Sequence, residues 1–310
     1  MNSTSVLLSL IALMPALALC FYIYMKDKVE REPLPLLILL FLAGGVAYLP
    51  AYYGESLIEK MFHGIFADFM SLNLASGQIS WSSDAAEYSY YALCAVFAFA
   101  LMEELCRWLV LYFITHKNKE FNCLFDGIVY SVFVSMGFAL AVNLRYAFVD
   151  GWDTFILRLL DNVPGQLFFG VLMGYFYTLW HVHSLADDAE ERLIAEGKIS
   201  GEKIRYPFSK LWLSIVIPMA AHAAYSFMRL CDSEIITVIY YIIVGAIFIV
   251  CFIGIARFAK KDTSDSSIVN AIIRKHHPEY EGAELVDDEY LGLDDVEEDE
   301  NTDSSEGKGE

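Results

Sequence analysis

The sequence predicts an all-α fold, a polytopic transmembrane helical bundle of about seven spans with its N-terminus outside and its C-terminus inside. Three observations predict it. Of the 310 residues, 56% are hydrophobic and 20% charged, and mean hydropathy is +0.44, too apolar for an ordinary soluble domain. Seven apolar stretches are each long enough to cross about 30 Å of hydrocarbon. The loops between them alternate in charge, as a consistent membrane orientation requires.

The first span is expected near 5–25. No cation precedes it in MNSTS, and Lys26, Lys28 and Arg31 follow it, the pattern of a retained anchor with its N-terminus outside. The second, 34–53, leads into ESLIEKMFHGIFADFM at 55–70, an amphipathic segment expected at the outer interface. The third covers 88–114, the fourth 123–149 and the fifth 155–181. The sixth and seventh are expected at 211–230 and 235–257. Loops 26–33, 115–122 and 182–210 carry lysines, whereas 54–87, 150–154 and 231–234 are acidic, and Arg257, Lys260 and Lys261 follow the last span. Residues 182–206 read as a cytoplasmic helix with a turn. Two regions result: a membrane domain over 1–261 and a largely disordered acidic tail over 262–310. A short helix is expected from Ile268 to His277. From Glu279 to Glu310 there are fifteen acidic residues and one lysine, so the tail carries most of the net charge of −19. No basic, aromatic surface suggests nucleic acid. The lipid bilayer is the expected surrounding and the cell membrane the expected location. The six cysteines form no CxxC pair and read as small buried hydrophobes.

Against this apolar background the polar residues inside spans stand out, because a charge at the bilayer centre costs about 2.5–3.5 kcal/mol on insertion scales. MEELCRW places Glu103 and Glu104 in mid-span, with Arg107 four residues after Glu103 on one helix face. An ion pair of Glu103 with Arg107 is one reading. It leaves Glu104, about 100° away around the helix, and two adjacent carboxyls of which one keeps its proton suit acid–base work. His222 lies mid-span in IPMAAHAAYS, four residues after Pro218. It is either hydrogen-bonded within its own bent helix or a partner to the glutamates at equal depth. Gly127, Ser131 and Ser135 form a small-residue stripe on the fourth span, with Val142 close to it. Gln166, Gly170, Gly174 and Thr178 form another on the fifth, as helix-packing faces do. Asn143 sits in the fourth span, and Asp126 opens it as a helix cap.

These residues together resemble the PrsW family of intramembrane proteases, which is related to the group holding the CAAX-prenyl proteases and bacteriocin-immunity proteins. The resemblance rests on EELCR, on FDGIVYSVFVSMGFALAVNLRY and on IPMAAHAAYSF, and spans about residues 26–257. It implies hydrolysis of a peptide bond in a membrane-protein substrate such as an anti-sigma factor, with water activated by glutamates and histidine. On that reading Glu103, Glu104 and His222 are catalytic, one glutamate being the base, and Asn143, Gln166, Arg107 and Asp126 support them. Asn143 or Gln166 joins His222 in stabilising the oxyanion. No cofactor is expected, although the glutamates and His222 could instead bind a divalent metal. Two positions depart from the family pattern: Val142 stands where a glutamate precedes the asparagine, and Gln166 where a histidine is usual. They leave open full hydrolysis with the remaining set, slow or narrow cleavage, and a non-catalytic binder of transmembrane segments. A transporter is a third class, since intramembrane carboxylates also mark ion paths, but there is no inverted repeat.

Overall fold

A computed structural model describes residues 3–72, 79–149, 152–200, 203, 209–231, 233–278 and 286–293. Apolar sequence without side chains that compete for the backbone favours helix in lipid, where every backbone polar group must be paired within its own segment. Six helices among the described residues are long and apolar enough to cross a membrane. They are α1 (Ser3–Lys26), α2 (Leu34–Ile65), α5 (Asp126–Val149), α6 (Trp152–Ala195), α7 (Ser209–Leu230) and α8 (Glu234–Phe258). The chain is a multi-pass membrane protein. The third expected span is also helical, built as α3 (Asp84–Leu93), a π-helical stretch Cys94–Ala100 and α4 (Leu101–Thr115). Backbone angles at both junctions are right-handed helical, so 84–115 is one continuous rod. A π turn inserts extra backbone into a helix and is frequent at functional sites; this one ends three residues before Glu103.

Several expected boundaries move. α2 does not stop at residue 53 but continues through Gly54 to Ile65, because no proline follows Pro50 in this stretch and its polar residues find an interior cavity to face. The fifth span likewise runs on as α6, unbroken for 44 residues, about 66 Å at 1.5 Å per residue and far more than a bilayer needs. Its far end carries Val182, Ala186, Ala189 and Leu193, which pack with Val269 and Ile273 of α9 (Asp265–His276) and with Val286. The chain after Asp262 therefore includes a docked helix, and α10 (Asp288–Leu291) lies beside α6 and α9. A two-stranded antiparallel hairpin, β1 (Met70–Leu72) with β2 (Ile79–Trp81), pairs Met70 with Trp81. The acidic end of the tail, beyond residue 293, lies outside the described residues.

α5 is the central helix, buried along most of its length and packed by α1, α2, α4 and α6. The two small-residue stripes meet. Gly170 lies against Ser131 and Ser135, and Gly174 against Gly127 and Ile128. Gly137, on another face of α5, lies against the Phe41 carbonyl and Gly45 of α2. Without large driving forces between helices in lipid, such close backbone approach supplies the contact energy.

Candidate active site

The π stretch and α4 turn Glu103 and Glu104 in different directions. Glu104 is fully buried and forms an ion pair with Arg107, also fully buried. The i, i+3 partner is thus Glu104, not Glu103 as the four-residue spacing suggested. Arg107 further donates to Ser135 Oγ (3.1 Å) and lies over the ring of Phe138. His222 approaches from α7. Its Nδ1–H donates to Glu104 Oε1 (2.8 Å), and its ring stacks on Phe169 at 4.4 Å between centroids. That bond fixes the tautomer and leaves Nε2 facing Glu103 Oε2 at 3.8 Å. The same Glu103 oxygen accepts from Gln166 Nε2 (2.8 Å). Glu103, Glu104, His222, Arg107 and Gln166 therefore form one network that also reaches α5 through Ser135.

Glu103, Gln166 and His222 line a cavity of about 150 Å³, room for several waters at ~30 Å³ each. Glu104 does not line it. One wall is α2, whose Tyr48, Tyr52, Glu55 and Glu59 follow helical spacing on one face. The cavity runs from buried His222 to exposed Glu59. Arg145, Asn162 and Arg229 complete the polar lining. Sequence reasoning missed Glu55, Glu59 and Arg229. The signals were present: the acids lie on Tyr48's helical face, and Arg229 falls seven residues after His222, two turns on.

The supporting residues divide. Gln166 is in the site. Asn143 is buried behind the cavity wall, its Oδ1 accepting from Asn162 Nδ2 (2.9 Å). Val142 is mostly buried, packs with Phe138 and touches the cavity. Asp126 is elsewhere, seventeen residues before Asn143 on α5 and hence about 25 Å away along the axis. It does not cap the amides of its own helix. Its Oδ2 accepts from the N–H groups of Asn122 (3.1 Å) and Cys123 (2.7 Å), fastening the preceding turn.

The profile of a family described as "PrsW family intramembrane metalloprotease" matches residues 32–255. The chain belongs to the PrsW family. Among similar proteins, Protease PrsW of Geobacillus kaustophilus is 31% identical over 216 residues, 70% of this chain and 76% of the relative. Protease PrsW of Oceanobacillus iheyensis is 27% identical over 256 residues, 83% of this chain and 95% of the relative. Protease PrsW of Bacillus subtilis is 28% identical over 250 residues, covering 81% and 93%. No solved structure matches.

The family description names a metalloprotease, so the donor set bears on a metal. A catalytic zinc ordinarily takes three protein ligands and a water. Among the described residues no three His, Cys, Asp or Glu side chains converge in such a way. Glu103 and His222 Nε2 face each other, while the nearer Glu104 oxygen is already bound by Arg107 and His222. Two facing donors do not fit a three-ligand site.

Proposed function

We propose that this PrsW-family chain hydrolyses a peptide bond in a membrane-protein substrate, with Glu103 as general base. The observation that carries the reading is the facing pair, Glu103 Oε2 and His222 Nε2 at 3.8 Å on the wall of a polar cavity. A water about 2.8 Å from both lies within ordinary hydrogen-bond length of each. Glu103 takes its proton as the oxygen attacks the carbonyl carbon, then delivers that proton to the departing amide nitrogen as the C–N bond breaks. Glu104 is a positioning residue. It holds His222 in one tautomer as the orienting carboxylate of a catalytic triad does, with water in place of the serine. Gln166 orients Glu103, and its second amide hydrogen is the donor offered to the oxyanion. This set accommodates the two departures: Gln166 substitutes an amide for an imidazole, and Val142 forms part of the wall.

The charge alternation supports an N-terminus outside and a C-terminus inside, with 84–115 as the seventh span. In that orientation the cavity opens toward the outer face, where α2 and α7 both end. A single-pass protein such as an anti-sigma factor, cut near that face, is the substrate class we favour. The test compares newly formed termini in membranes of cells carrying the wild-type chain and Glu103→Gln. Termini present in wild type and missing in the variant, at equal protein level, are expected. Identical sets would overturn the protease reading and favour a binder.

A further inference from the structure

Among the described residues, every arginine near the site has a hydrogen-bond, ion-pair or aromatic-ring partner except one. Arg107 is paired with Glu104. Arg145 lies over the rings of Tyr52 and Tyr146. Arg158 stands 3.7 Å from Asp161 Oδ2 and over Tyr146. Arg229 lines the cavity, is half-buried, and among the described residues makes no hydrogen bond or ion pair. Asp161, beside it on α6, is its electrostatic neighbour but forms no ion pair with it; the Oδ2 of Asp161 is taken by Tyr240 OH (3.1 Å) and Arg158.

A guanidinium carries five N–H donors in a rigid fork and stays charged. Held without a protein acceptor in a partly enclosed cavity, those donors are met by water when the cavity is free and are available to an incoming acceptor. A carboxylate is the acceptor that fits the fork with two parallel bonds. Position narrows the role. His222, Ser226 and Arg229 line the cavity from one face of α7, and Arg229 is two turns beyond His222 toward the end where exposed Glu59 marks the mouth. Seven residues of helix rise about 10.5 Å. An extended peptide covers that in about three residues at ~3.4 Å each.

Resting on the protease reading above, we propose that Arg229 is a specificity residue that binds an acidic side chain of the substrate about three residues from the bond that is cut. The acids of α2 set the other wall, so the register of the bound segment is fixed by charge as well as by shape.

The test uses a library of single-pass transmembrane segments in phosphatidylcholine vesicles, with the residues flanking the cut randomised and products read by mass spectrometry. Wild type is expected to enrich Asp or Glu at two to four residues on one side of the cut, favouring it over the matching amide about ten- to hundredfold in kcat/KM. Arg229→Gln should lose that preference while still cutting, Arg229→Lys should keep it in weaker form, and Arg229→Glu should shift it to Lys or Arg. Cleavage by wild type without an acidic preference, or variants that slow all sequences alike, would overturn the assignment and leave the protease reading standing. A variant effect that tracks added anionic lipid instead of peptide sequence would assign Arg229 to a headgroup and equally overturn it. No cleavage by wild type at all would remove the protease reading, and this inference with it.

Discussion

Replacing Glu104 by glutamine separates holding the site from doing its chemistry. Glu104 and Arg107 are both fully buried and paired, and Glu104 also accepts from His222. Removing one partner of a buried ion pair costs about 3–5 kcal/mol, because the other charge is left uncompensated. The amide oxygen of the substituted glutamine would still accept a hydrogen bond, and Ser135 Oγ still receives one Arg107 N–H, so the lower end, about 3 kcal/mol, is expected. The double variant Glu104→Gln with Arg107→Met removes both charges and should recover at least ~1 kcal/mol of that loss. Glu103 borders the cavity, and its side chain is 14% exposed, so Glu103→Gln should cost less than about 1 kcal/mol. Unfolding by sodium dodecyl sulfate in mixed micelles reads all four proteins. A Glu104→Gln variant within about 0.5 kcal/mol of wild type would refute the claim that this carboxylate neutralises a buried guanidinium.

Three further outcomes follow from other parts of the structure. At the end of the bundle holding the α1–α2 and α8–α9 connections, burial pushes Asp27 up to about 6 and Glu32 and Asp265 up to about 8, and raises Asp262 as well. Unfolded carboxyls titrate near ~4, so the folded cluster holds extra protons between about pH 4 and 8 and its stability falls as pH rises through that window. Hydrogen exchange in α9 and in residues 27–33, corrected for intrinsic rate, should therefore quicken from about pH 6 to about pH 8.5; unchanged protection would contradict the cluster. Gly137→Leu drives a side chain into the Phe41 carbonyl and should destabilise by about 1–3 kcal/mol, a loss readable by the same unfolding assay and absent if α2 can withdraw. Because two facing donors do not make a three-ligand site, cleavage should survive dialysis against a strong chelator, and abolition reversed by added zinc would overturn the metal-free mechanism.

Much of this is legible in the chain alone. The stripes Gly127–Ser131–Ser135 and Gln166–Gly170–Gly174–Thr178 repeat every four residues, and helical geometry alone makes each a face; the structure sets the two against each other. Glu103, Glu104 and His222 share a depth, and the cost of leaving them in lipid predicts that they meet. What the chain pattern could not decide was which carboxylate meets Arg107. Spacings of three and four residues both reach it, and the choice of Glu104 comes from Ser135 and His222 on other helices. Asn143 is similar: a polar side chain in mid-span calls for a partner inside the protein, but that partner is Asn162 and not the glutamates. The ends of α2 and α6 escape the pattern for a different reason. Polar residues after an apolar run normally mean water, whereas Glu55 lines an interior cavity and Ala186 and Ala189 bury against α9.

On the proposed mechanism Glu103 activates water beside His222 in a shared cavity. Reconstituted wild type, Glu103→Gln and His222→Gln should be compared on one cleaved single-pass segment in proteoliposomes, with each protein's fold checked by unfolding. Glu103→Gln, folded and of near wild-type stability, is expected to lose about 10²–10⁴-fold in cleavage rate, the usual contribution of a general base. Full cleavage by folded Glu103→Gln would contradict the mechanism.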